Sequence, residues 1–194
     1  NYQVTVFTFS GGTIGSPLDV SDFNRVETVL KKYRPEIIFH LAARSSTRHE
    51  FILENHRAIV DGAVAILEAV DRHIPNSKVF IASSALVFKN EGLAITESNE
   101  LITDTAYALA RVEALHVARY YRKRGRKVYV GYLFNHESPM RPINSVVREV
   151  TRGIVDIHYG LKKTLSVGNS SVVKEWMWAG DAVAAIITLV CQDD

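Results

Sequence analysis

The sequence predicts an α/β protein built on a doubly wound parallel sheet. Two observations carry that expectation. Short apolar runs alternate with amphipathic helical segments along most of the chain, the order that gives parallel strands joined by helical crossovers. The runs are also apolar on consecutive residues, as strands covered on both faces require.

Gln3 to Phe9 (QVTVFTF) predicts a buried first strand. A turn follows, from Ser10-Gly11-Gly12 through Gly15-Ser16-Pro17. Ser21 is the expected cap of a helix running to Tyr33, with Val26, Val29, Leu30 and Tyr33 on one face. Pro35 stops that helix, and Glu36 to Leu41 (EIIFHL) reads as the next strand. Leu53 to Arg72 predicts a longer helix that buries Ile59, Ala63, Ile66, Leu67 and Val70. Lys78 to Ser83 (KVFIAS) is the third strand, and a polar connection runs from Ser84 to Thr105. A helix is expected over Ala106 to Lys123, closed by Gly125 in the left-handed region, before a fourth strand over Lys127 to Phe134. After Asn135 the pattern loosens into a loop, a helix over Ser145 to Ile157, a short strand over Thr164 to Val167, and a final helix from about Asp181.

Composition narrows the function classes. The chain has 194 residues, 47% hydrophobic and 23% charged, with a formal net charge of +2, so a core can form and disorder is excluded. Cys191 is the one cysteine, which rules out a disulfide scaffold and fits a reducing cytoplasm. The longest apolar stretch, Ala182 to Cys191, is too short to cross a bilayer, so no membrane partner is expected, and Cys191 is expected as a small core residue. Arg119 to Lys127 is strongly basic with Tyr120 and Tyr121 inside it. It is read as a solvated helix end whose cations offset the macrodipole, not as a nucleic-acid surface. The histidines show no metal-ligand spacing, so no metal is expected. Trp176 and Trp178 are read as flanking a ligand pocket or, more ordinarily, as core.

Ligands of parallel sheets collect at the carboxyl ends of the strands. The candidate site is therefore Thr8 to Ser10, Leu41 to Ser45, Ser83 to Leu86 and Phe134 to Arg141. Tyr107 and Arg111 lie one helical turn apart and share a face. A fixed cation beside a phenol favours the phenolate, which suits tyrosine to proton transfer near neutral pH. Ser84, leaving the neighbouring strand, can hydrogen-bond the same substrate oxygen. Taken alone, such a Tyr-x-x-x-Arg pair is usually just surface packing.

Phe39-His40-Leu41-Ala42-Ala43, then Ser83-Ser84-Ala85-Leu86-Val87-Phe88, then Tyr107, resemble the extended short-chain dehydrogenase/reductases. Within that group, Leu133-Phe134-Asn135-His136-Glu137-Ser138-Pro139, Val146 to Arg152 (VVREVTR), and Gly168-Asn169 with Lys174-Glu175-Trp176, Ala179 and Asp181 resemble the GDP-mannose 4,6-dehydratases. The resemblance implies a Rossmann-like domain over residues 1–134 that binds NADP or NAD, and a partial nucleotide-sugar-binding region over 135–194 interleaved with it. It implies catalytic roles for Ser84, Tyr107 and Arg111. Cofactor contacts are implied for Asp19, Val20, Leu41, Ala42, Ala43, Arg44, Ser45, Tyr107, Arg111, His136 and Arg141, and substrate contacts for Ser84, Asn135 and Lys174. It further implies a GDP-linked sugar as substrate and a homodimer or homotetramer.

Three departures shape the expected chemistry. The glutamate that removes the C5 proton in the dehydratases aligns with Leu86, the residue before it is Ala85, and the family's lysine is Arg111. Dehydration across C5 and C6 is therefore not expected, whereas chemistry at C4, as an epimerase, reductase or C4 dehydrogenase, is. The alternative is a catalytically impaired family member that persists as a binding or regulatory subunit. Gly11 to Gly15 does not open a helix, so it is read as the loop after the family's second strand. That loop carries no Arg or Lys for a 2′-phosphate, which fits either a preference for NAD or weak binding altogether. By this resemblance the family's first strand, its phosphate-binding glycine loop and the end of its sugar-binding region are expected to lie outside these 194 residues.

Overall fold

A computed structural model of the chain describes residues 3–11 and 15–192. Two compact units are present: residues up to 132 together with those from 189 onward, and residues 133–188. In the first unit, β1 (Phe7–Thr8) pairs in parallel with β2 (Ser16–Pro17). The main sheet has three strands, β3 (Ile37–His40), β4 (Lys78–Ser84) and β5 (Lys127–Leu133), hydrogen-bonded in the order β3-β4-β5. β3 and β4 are parallel, with Ile37 opposite Lys78 and His40 opposite Ile81. The middle strand is buried from Val79 to Ser84, as a strand flanked on both edges must be.

Helix α1 (Phe23–Tyr33) is capped by Asp22, whose side chain accepts from the Arg25 amide. It ends at Arg34 in the left-handed region, with Pro35 next. A longer helical run comprises a 3₁₀ turn (His49–Phe51), α2 (Ile52–Asn55), a π-helical stretch (His56–Asp61) and α3 (Gly62–His73). Thr105 caps α4 (Ala106–Lys123) by accepting from the Ala108 amide at 3.1 Å. Gly125 has φ 81°, a conformation glycine adopts without steric cost. Val26 and Leu30 of α1, Ala63, Leu67 and Val70 of α3, and Ala110, Ala114 and Ala118 of α4 pack with Val79 and Ile81 into one core. The alanines recur every four residues, which gives α4 a smooth face for close approach.

Strand alternation sends Phe80 to the opposite face from Val79 and Ile81. There its ring fills the space over Gly131, where a Cβ would stand 2.6 Å from the Phe80 Cζ. The ends of α3 and α4 are joined by polar contacts. Tyr121 Oη donates to Glu68 at 2.6 Å, and Asp71 pairs with Arg124 at 2.8 Å and Arg126 at 2.9 Å. Burial and then the Glu68 carboxylate push the Tyr121 phenol up, while the Tyr121 hydrogen bond holds Glu68 below the usual carboxylate range. Much of the basic run thus ties two helices together, and Arg122 donates to the Val128 carbonyl.

The second unit contains β6 (His136–Glu137), α5 (Val146–His158) and β7 (Met177–Trp178), with β6 and β7 parallel. α6 (Ala179–Cys191) follows directly. Gly153 of α5 sits against Leu165, whose Cδ1 a Cβ there would meet at 2.5 Å.

Several expectations need correction. Only Phe7 and Thr8 of the first run form a strand, and Val4, Val6 and Phe9 are exposed. Apolar sequence had suggested a longer sheet neighbour; among the described residues β1 pairs only with the two-residue β2. Ser21 does not cap α1: Asp22 holds the cap position and accepts from the Arg25 amide, while the Ser21 amide and hydroxyl donate to Asp19. Tyr33 is half exposed, its ring set edge-on to Phe7. No strand forms over 164–167. Cys191 is exposed, as are Trp176 and Trp178. Gly12, Thr13 and Ile14 of the glycine-rich turn lie outside the described residues.

Gly131→Ala brings its Cβ to 2.6 Å from a fully buried phenylalanine ring, which must shift to admit it, so chemical denaturation is expected to show a loss of about 1–3 kcal/mol. A second expectation concerns acid. His73 Nε2 lies 2.7 Å from Glu27 Oε1 and Lys31 Nζ 3.0 Å from its other oxygen, and these contacts, His73 first, hold Glu27 below its ordinary 4.5. A carboxylate with a depressed folded pKa stabilises fully above the unfolded value and loses that contribution as pH falls through the folded one. Glu27→Gln is therefore expected to destabilise above pH 4.5 and to match the parent in stronger acid, read as paired denaturation curves across pH.

Candidate active site

Because β3 and β4 run parallel and in register, Leu41 to Ser45 and Ser83 to Leu86 leave the sheet on the same edge. Ser84 opens a 3₁₀ turn (Ala85–Val87), where its Oγ accepts from the Leu86 amide at 3.2 Å. That leaves the hydroxyl proton to donate elsewhere. The Thr105 cap puts Tyr107 in the first turn of α4, and Tyr107 and Arg111 both face the protein interior. The Arg111 guanidinium lies over the Tyr107 ring, 5.0 Å from its centroid, and Nη1 donates to the Ala82 carbonyl. The contact is thus with the ring face, where a cation meets the negative side of the aromatic quadrupole. Ser84 and Tyr107 are each 9% exposed and Arg111 is 4% exposed, so the three groups present little surface to solvent.

Three polar atoms in this part of the unit are buried without a partner: Arg111 Nε, Ser83 Oγ and Asn55 Oδ1. Each such atom costs about 1–3 kcal/mol when left unsatisfied. Asn55 spends its amide on the Ser46 carbonyl at 2.7 Å, which fixes the loop after β3. In that loop Ser45 has φ 56°, a strained conformation for a residue with a Cβ. Arg44 stacks on Phe51 with its guanidinium carbon 4.6 Å from the ring centroid. Leu41 is exposed, and Ala42 and Ala43 are half-buried.

His40 ends β3 fully buried, with Nε2 3.3 Å from the Ile59 carbonyl. Burial pushes its pKa down to about 4, and the Arg111 charge acts in the same direction against the raising effect of the Ile59 bond. The neutral ring therefore carries its proton on Nε2 and donates it to Ile59. Gly62 completes this packing. A Cβ there would stand 2.8 Å from the Val20 Cγ2 and 3.0 Å from the His40 Cε1. Asp19, beside Val20, turns one carboxylate oxygen back to Ser21 at 2.9 and 2.7 Å. His40, Asn55 and Gly62 were given no role from sequence. The available signal was a polar residue inside an otherwise apolar strand.

Asn135, His136, Arg141 and Lys174 belong to the second unit. The Asn135 carbonyl accepts from the Met177 amide at 3.0 Å, and His136 Nδ1 lies 2.9 Å from the Phe134 carbonyl. Arg141 pairs with Glu137 at 3.3 Å, while Lys174 is exposed three residues before β7. Among the described residues no cluster of His, Cys, Asp and Glu suits a metal ion, and no helix is long and apolar enough to cross a membrane. A cleft of about 460 Å³ lined in part by Arg34, Ile37, Ile74 and Lys78 opens at the other edge of the sheet, away from the strand ends where ligands of such sheets bind.

The sequence profile of the family described as GDP-mannose 4,6 dehydratase matches residues 16–194. The chain belongs to that GDP-mannose 4,6-dehydratase family. It is similar to GDP-mannose 4,6 dehydratase 1 of Arabidopsis thaliana, 31% identical over 182 residues that make up 90% of this chain and 50% of that one. It is also similar to GDP-mannose 4,6-dehydratase of Vibrio cholerae, 30% identical over 185 residues, 90% of this chain and 49% of that one. The chain spans about half the length of these curated relatives. Among solved structures it resembles RMD of Pseudomonas aeruginosa complexed with NADPH, with a TM-score of 0.79, 22% identity, and coverage of 89% of this chain and 61% of that chain. It also resembles dTDP-glucose 4,6-dehydratase of Bacillus anthracis in complex with NAD, with a TM-score of 0.76, 20% identity, and coverage of 93% and 55%. These likenesses establish the α/β fold with parallel strands that the sequence predicts.

For this GDP-mannose 4,6-dehydratase family member, His40 makes stability depend on pH. The unfolded chain takes up a proton near pH 6.5, while the buried ring resists it down to about 4. Stability therefore falls as pH drops through that window. Compared with His40→Gln, which cannot titrate, the parent is expected to lose a few kcal/mol more between pH 7 and pH 4, read from denaturant midpoints.

Proposed function

We propose that the protein containing this chain is a cytoplasmic NAD(P)-dependent enzyme that oxidises or reduces a GDP-linked sugar at C4, assembled as a homodimer or homotetramer. The observation that carries this reading is Arg111 stacked on Tyr107 and tied to the Ala82 carbonyl, immediately before Ser83 and Ser84. The unpartnered Arg111 Nε, Ser83 Oγ and Asn55 Oδ1 suit a polar ligand at this edge. Ribose hydroxyls match this set of donors and the Asn55 acceptor, and an anionic diphosphate matches the exposed Arg44, so the residues fit a nicotinamide dinucleotide. When bound, that cofactor supplies hydride acceptance or donation.

The chain's own residues then divide the remaining work. Ser84, with its oxygen already accepting from Leu86, donates to the C4 oxygen. Tyr107 gives a proton to that oxygen on reduction and takes it on oxidation. Arg111 holds the Tyr107 ring and places a permanent positive charge beside it. Within the first unit, Leu41 to Ser45, with Asp19 and Val20, would line the cofactor. Asn135 and Lys174 would hold the nucleotide sugar. Loss of water across C5 and C6 is not part of this reading, because Leu86 has no proton to exchange. A binding-only family member is the second reading, favoured by that same Leu86 and by the Arg111 head being engaged by a backbone carbonyl.

Tyr107→Phe in the full-length protein is expected to lower turnover of a GDP-sugar at saturating NAD(P) by about 10²-fold or more. Unchanged turnover would remove Tyr107 from the chemistry. Uptake of ligand with no turnover in the parent would select the binding-only reading.

A further inference from the structure

Resting on the placement of Ser84 at the sugar C4 oxygen, we infer that the sugar this site takes is a 6-deoxyhexose, whose C6 methyl packs on Leu86. The Leu86 amide lies 3.2 Å from Ser84 Oγ, so the backbone of residue 86 is fixed next to the group that would hold C4. The Leu86 side chain is 52% exposed. It does not turn inward, because Val87 and Phe88 occupy the interior there with Val112, against Ile95, Leu101 and Tyr132.

From Ala85 through Phe88 the turn offers no side-chain donor or acceptor. A sugar held at C4 has two ring neighbours. C3 carries a hydroxyl, which an apolar turn cannot satisfy, whereas C5 carries carbon. C6, borne on C5, is the substituent next to C4 that an apolar side chain such as Leu86 can accept. A methyl there loses water at no polar cost, while a hydroxymethyl gives up its hydrogen bonds to water for contact with leucine. An apolar contact of this kind rejects an added hydroxyl by a factor of about 10–100.

The test is equilibrium binding to the full-length protein of GDP-mannose, its 6-deoxy counterpart and GDP alone, by calorimetry. The 6-deoxy sugar is expected to bind about 10–100-fold more tightly than GDP-mannose. Leu86→Gln, an exposed substitution whose fold is checked by thermal melting, is expected to bring the two sugars to within a few-fold while leaving GDP affinity unchanged. Equal affinities in the parent, or a preference that survives Leu86→Gln, overturn the 6-deoxy inference and leave the nucleotide-sugar reading standing. If neither sugar nucleotide binds, or both bind no better than GDP, the nucleotide-sugar reading fails and this inference fails with it.

Discussion

The bond from Arg111 to the Ala82 carbonyl is the contact on which the rest of the site depends. It ties α4 to the middle strand next to the point where that strand leaves the sheet. Ser84, two residues beyond Ala82, and Tyr107, one turn before Arg111, inherit their positions from it. A buried guanidinium is costly to desolvate, and here part of that cost is offset by a backbone acceptor and an aromatic face. The same charge reaches His40 on the neighbouring strand and helps to keep it neutral. A protonated His40 would place a second buried cation in the same region. Burial of one positive group thus depends on the neutrality of the other.

Away from this edge the molecule uses charge differently. Asp71 gathers Arg124 and Arg126, Glu68 takes the Tyr121 hydroxyl, and Glu27 takes His73. These contacts join helix to helix near solvent, where each pair contributes modestly. They set the relative placement of α1, α3 and α4 while the alanine-lined core supplies most of the burial energy. The division is physically sensible. Cations at the surface are easily paired, and the deep one is reserved for the ring of Tyr107.

Much of this was legible in the sequence because hydrophobic periodicity reports burial directly. The ends of α4 matched the expected ones, since Thr105 and Gly125 mark them with specific backbone chemistry. β3, β4 and β5 were found within a residue or two. What the sequence hid was tertiary. Gln3 to Phe9 has strand composition, but a strand exists only where a neighbour supplies the ladder, and composition does not report neighbours. The π-helical stretch His56–Asp61 keeps an apolar stripe, so its wider turn leaves no trace in periodicity. Cys191 sits in an apolar run yet is exposed, because a helix apolar on all sides does not announce which side faces water. In the site, the Tyr107–Arg111 pairing followed from spacing. The stacking of the cation on the ring face depended on the Ala82 carbonyl, which no side-chain pattern reveals.

Among the described residues no further strand pairs with β3, so one side of its backbone has amides and carbonyls without ladder partners. Phe39 and Leu41 stand exposed on and just beyond it. An open parallel edge flanked by large apolar side chains is a template for any extended peptide. The chemistry at the strand exits therefore sits beside an apolar strand edge. At high concentration, what occupies that edge bears on the solubility of this chain alongside its net charge.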